Sequence, residues 1–128
     1  MGFSKEELNQ IDKADDLKIS PLREDGMTYG TPTWIWNVVV DGNLYVRAYH
    51  GKNSRWYQAA IKHKAGCIHT AGCMVKEVSL RPIDGFINGH IDEAYKLKYK
   101  MSPYLNDMIG KRAGMSTIKI LPRGNDLV

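Results

Sequence analysis

Arg47, Tyr49, Lys52, Ser54 and Arg55 fall close enough in sequence to gather at the end of one strand and the start of the next helix. Guanidinium and ammonium groups beside the unpaired N–H groups of a helix N-terminus make a site for phosphate, since both supply positive charge and donors aimed at oxygen. The same residue types also make a solvated basic loop, and spacing alone does not separate the two. The neighbourhood favours an anion. Asn43 through Lys76 contains no Asp or Glu, whereas Arg47, Lys52, Arg55, Lys62, Lys64 and Lys76 all lie there, with His50, His63 and His69 among them. A local positive potential is expected, with an anion as its complement.

Trp34, Trp36, Trp56 and Tyr57 offer flat surfaces for a ring system, although aromatics in strands more often serve the core or an interface. Cys67, His69 and Cys73 suggest metal, but Cys-x-His-x3-Cys lacks the paired spacing of structural zinc sites, so no metal site is expected. Neither thiol has an evident base beside it, and no catalytic cysteine is assigned. The acidic pairs Asp15-Asp16, Glu24-Asp25 and Asp92-Glu93 read as turn or helix-surface charge. The common nucleotide-loop and hydrolase signatures are absent from the sequence. Lys96, Lys98 and Lys100, interleaved with Tyr95, Tyr99 and Tyr104, read as a solvated helix face over packed rings, and no nucleic-acid partner is expected.

The chain that must position these groups has 128 residues, 43% of them hydrophobic and 25% charged, with a net charge of +4. Those values fit one globular domain with one core, residues 3–122 forming its ordered part and 123–128 a polar tail that frays. No apolar run reaches the roughly 18 residues a bilayer requires, and the opening MGFSKEELNQ lacks the layout of a signal peptide. A cytoplasmic protein with reduced thiols and no membrane partner is the expectation.

Ser4 and Glu7 frame a capping box ahead of Leu8 and Ile11, predicting a helix over 4–14. Leu17 and Ile19 mark a short strand before Pro21. The run Thr33–Val40 reads as one strong strand, and Asp41-Gly42 turns it into a second, Leu44–Tyr49. In that second strand Leu44, Val46 and Ala48 share one face, with Tyr45, Arg47 and Tyr49 on the other. Ser54 starts a helix that Gly66 ends. A second hairpin turns at Ala71-Gly72, a long helix spans 86–99, a short connector or helix runs from Ser102 to Gly110, and a strand closes at Thr117–Leu121. The layout predicts an α+β fold: an antiparallel sheet of six or so strands curled into a barrel, with two to three helices outside.

The segments Ala14–Ile19, Tyr29–Trp36 and Leu44–Tyr57 closely resemble a bacterial domain family of unknown function. That family is similar to the flavin-binding split-barrel superfamily, which includes pyridoxamine phosphate oxidase-like and deazaflavin-dependent nitroreductase-like proteins. The resemblance implies a split β-barrel that binds FMN or a deazaflavin, its phosphate held by Arg47, Lys52, Ser54 and Arg55. It implies a ring lying along Thr31, Thr33 and Trp34, with a second subunit closing the site; Tyr49 and Trp56, singled out above by residue type and position, complete the set of residues expected to bind the cofactor. Trp56-Tyr57 is similar to a pair in the deazaflavin-using branch. The longer terminal segments of the oxidases are missing, so their substrate chemistry does not carry over. Three readings stay open: a flavin or deazaflavin oxidoreductase, a non-catalytic binder of flavin, haem or another anionic ligand, and a structural dimer without cofactor. A homodimer is expected because the aromatic faces of the first hairpin are only partly covered within one chain.

Overall fold

The computed structural model describes residues 3–70, 72 and 74–123. Helix α1 (Lys5–Lys13) starts on the capping box legible in the sequence: Glu7 N–H donates to Ser4 Oγ and Ser4 N–H to the Glu7 carboxylate. Its apolar stripe buries Leu8 and Ile11. Strand β1 (Lys18–Pro21) follows.

The run Thr33–Val40 is not one strand. It divides into β2 (Thr33–Trp34) and β3 (Asn37–Val40), separated by Ile35 and Trp36. Strand β3 turns through Asp41 and Gly42, both at positive φ (51° and 78°), into β4 (Asn43–Arg47), which is the hairpin the Asp-Gly pair predicts. A 3-10 turn (Gly51–Asn53) leads into α2 (Arg55–His63). Gly66 does not end that helix. Lys64 ends it by adopting the left-handed conformation (φ 60°), and Gly66 instead lies inside β5 (Ala65–Thr70). A Cβ at Gly66 would lie 2.8 Å from Ser20 O and 2.9 Å from Pro21 Cα, so only glycine lets β1 approach there.

Strand β6 (Met74–Pro82), helix α3 (Ile87–Lys98), two short helices α4 (Leu105–Met108) and α5 (Lys111–Gly114), and strand β7 (Thr117–Pro122) complete the order. The fold is α+β, with more strands and helices than the sequence reading anticipated. Arg123 is not frayed: it donates to the Tyr29 hydroxyl and lies 3.5 Å from Glu77, while the rest of the expected tail lies outside the described residues.

All seven strands pair antiparallel in one sheet, in the order β2-β1-β5-β6-β7-β4-β3. The first and last strands of that order are consecutive in the chain. A flat sheet would hold its edges roughly 29 Å apart at ~4.8 Å per strand, whereas three peptide steps from Trp34 to Asn37 span at most ~11 Å. The sheet therefore curls until its edges nearly meet. Inside the curl pack Leu17, Ile19, Leu44, Val46, Ile68, Val78, Leu80, Ile118 and Ile120, joined by Leu8 and Ile11 of α1 and Tyr57 and Ala60 of α2. Each fully buried Leu or Ile contributes about 1.5–3 kcal/mol. A second cluster lies outside, where α3, α4 and α5 bring Ile91, Tyr95, Met108 and Ala113 onto Val38 and Tyr45. The alternation read along β4 thus holds, but both of its faces are covered. No helix among the described residues is long and apolar enough to cross a membrane.

Candidate functional site

Four of the residues expected to hold a ligand, Thr31, Thr33, Arg55 and Trp56, line one groove of about 640 Å³. One wall is the segment from Pro21 to Asp25 and from Gly30 to Thr33, and the other is α2. Arg55, Ala59 and His63 recur every four residues, so one side of the helix runs along the groove. The volume lies within the range of cofactor and small-ligand sites, about 300–1,000 Å³.

Among the described residues, the Arg55 side chain makes no ion pair or hydrogen bond, leaving its donors available. The two carboxylates beside the groove are engaged by other donors. Asp25 accepts from the Met27 and Thr28 N–H groups and the Thr28 hydroxyl, which bring its pKa down to about 2. Glu24 accepts from Lys62 at 2.6 Å and is held below the usual carboxylate range chiefly by that bond. Both are therefore ionised at neutral pH.

The remaining expected residues lie elsewhere. Arg47 is buried beneath α3 and α4, at 1% exposure. Its Nε donates to Thr117 Oγ1, Nη1 to Asp92 Oδ1 and Met108 O, and Nη2 to Asn88 O and Oδ1. A guanidinium has five N–H groups, and all are used, so Arg47 has none left for a phosphate. Three of the six Lys and Arg side chains of the acid-free stretch are matched by acids from outside it, Asp92 meeting Arg47, Glu24 meeting Lys62 and Glu7 meeting Lys76, whereas Lys52, Arg55 and Lys64 make no ion pair among the described residues.

Tyr49 donates to Asp107 at 2.6 Å, which raises the pKa of its phenol, and faces a different cavity. Lys52 and Ser54 precede Arg55 at the entry to α2; Ser54 occupies the N-cap position without a side-chain cap bond. Trp34 is 66% exposed, its Nε1 donating to Asp15 O, and it does not line the groove. Trp36 stacks on Tyr99 with centroids 4.0 Å apart and planes 3° from parallel. Sequence reasoning missed Arg23 and His63. The helical spacing of His63 from Arg55 is a signal that could have found it, whereas nothing local places Arg23 opposite α2.

Cys67 Sγ lies 3.8 Å from His69 Nε2, and burial raises the thiol pKa. Cys73 lies outside the described residues. Among those described, no three His, Cys, Asp or Glu side chains gather as a metal site would require.

A curled antiparallel sheet with helices packed outside and an open groove along α2 defines the class of protein. The chain belongs to the bacterial family DUF2255, described as an uncharacterized protein conserved in bacteria, whose model matches residues 7–120. Its fold is similar to the crystal structure of the conserved hypothetical protein Rv2991 from Mycobacterium tuberculosis, with a TM-score of 0.61 and 11% identity, covering 96% of this chain and 81% of that one. At such identity the likeness concerns the fold. A search of the curated proteins returns no match.

Proposed function

We propose that this protein is a split barrel that binds a flavin-type cofactor in the groove along α2, FMN first and a deazaflavin second, and works as an oxidoreductase. The observation that carries the reading is an unpaired arginine, Arg55, beside the indole of Trp56 in a groove of about 640 Å³. The arginine suits a phosphate and the indole suits a planar ring. Arg23 and His63 replace Arg47 in the phosphate-binding set, and Thr31 and Thr33 supply hydroxyls toward the ring. The cofactor would carry the electron transfer, so the chain's part is binding and orientation. A second copy of the chain closes the open side of the groove in this reading.

The test is a fluorescence titration with FMN and with a deazaflavin, on the wild type and on Arg55→Ala. Charge-assisted bonds contribute roughly 1.5–3 kcal/mol, so the substitution should weaken binding about tenfold to a hundredfold. Absence of binding to the wild type would remove the reading, and binding indifferent to Arg55 would move the site. A non-catalytic binder is the second reading. It is favoured by the engagement of Glu24 and Asp25 with other donors, which leaves neither poised for proton transfer. Turnover of reduced cofactor with an electron acceptor separates the two.

A further inference from the structure

A second cavity, of about 240 Å³, is lined by Ile35, Trp36, Arg47, Tyr49, Tyr104 and Met108. Its walls are mainly rings. Tyr104 meets Tyr49 edge to face, with centroids 5.9 Å apart at 81°, and Trp36 is held in place by its stack on Tyr99. The charged group and the Tyr49 hydroxyl at its walls already have protein partners: the Arg47 donors are all used and its charge is matched by Asp92, while Tyr49 donates to Asp107, so the Trp36 indole N–H and the Tyr104 hydroxyl, both uncharged, are the donors left among the lining residues. Arg112 covers the Tyr49 ring at 5.6 Å.

A charged ligand entering such a cup would lose hydration and find no unmatched charge among the lining residues, only the neutral Trp36 and Tyr104 donors, which suit an uncharged oxygen. An apolar ring would gain edge and face contacts with three aromatic side chains and with the Met108 sulfur. An apolar cavity of roughly 150 Å³ accommodates benzene, so this one has room for one ring with a small substituent. We infer that the cup of Trp36, Tyr49, Tyr104 and Met108 is a binding site for an uncharged, single-ring aromatic molecule.

The cup and the groove along α2 are built on one segment. Thr33 lines the groove and Ile35 the cup, two residues apart and so within about 7.6 Å along the backbone. In the flavin reading, on which this one step rests, the cup is the reactant's place beside the cofactor. Binding to the cup itself does not depend on that reading.

The experiment uses the full chain without flavin, with benzyl alcohol as probe and benzoate as its charged counterpart. The sequence has three tryptophans, so the indole N–H resonances of Trp34, Trp36 and Trp56 report on three separate places. Benzyl alcohol should shift the Trp36 signal saturably, with a dissociation constant in the millimolar range, and benzoate should bind at least tenfold more weakly. Tyr104→Ala removes one wall at an exposed position and should weaken binding fivefold or more, whereas Tyr104→Phe should keep it. An unchanged urea midpoint in Tyr104→Ala separates loss of the wall from loss of the fold; should the midpoint fall, the benzyl alcohol and benzoate comparison on the wild type decides. No saturable shift at Trp36, or equal affinity for benzoate, overturns the inference. Failure of the FMN titration leaves the cup standing, and failure here leaves the groove standing.

Discussion

Arg47 shows how far residue type and neighbourhood carry a reading. Its position on a strand before a helix, in a stretch free of acids, points to a ligand contact, yet the side chain is the hub of a buried network joining β4, α3, α4 and β7. Its partners Asn88, Asp92, Met108 and Thr117 all lie far along the chain, where no local count of charge finds them. Arg55 and Trp56 were legible because a helix start fixes their place from local signals; Arg23 was not, because its place opposite α2 depends on tertiary packing. Removing the Arg47 guanidinium leaves Asp92 and Asn88 partly unsatisfied. Breaking a buried charged network of this kind costs about 3–5 kcal/mol. Arg47→Ala should therefore lower the urea midpoint strongly, and Arg47→Lys, with only three donors, should lower it as well. Were Arg47 a phosphate ligand, Arg47→Lys would weaken FMN binding and leave stability nearly unchanged.

At the scale of elements, most of the chain was legible because its signals are local. The capping box of α1, the Asp-Gly turn and the periodicity of α3 each involve neighbours in sequence. The errors occurred where pairing partners are remote. Thr33–Val40 has the composition of one strand, but Thr33 and Trp34 pair with β1 and Asn37–Val40 with β4, and the break follows from those different partners. Gly66 has the look of a helix stop, but close packing against β1 is what requires it. Two substitutions measure these effects in opposite directions. Gly66→Ala forces β1 outward and should destabilise by about 1–3 kcal/mol. Gly89→Ala, inside α3 with nothing within 4 Å of the added Cβ, should stabilise by about 0.5–1 kcal/mol. Thermal melts of the two variants give the comparison, and equal shifts would contradict the role assigned to Gly66.

For the whole molecule, the open groove and exposed rings such as Trp34 and Tyr104 leave surface for a second copy. We expect a homodimer related by a two-fold axis, with a contact on the order of 2,000 Å² if it is obligate. Light scattering at micromolar concentration checks this, and a monomer there would remove the proposal that a partner closes the groove. The way the sheet curls limits how such a dimer forms. The two edge strands of the sheet, Thr33–Trp34 and Asn37–Val40, are short and joined by the two-residue link through Ile35 and Trp36, and the Tyr99 hydroxyl already bonds the N–H and C=O of Asn37 on the latter. These two edges offer little unpaired backbone as a template for a foreign strand. Copies of this chain should consequently meet through side-chain faces, and a partly unfolded population would have to open the curl before one molecule could recruit another into an extended, amyloid-like ladder.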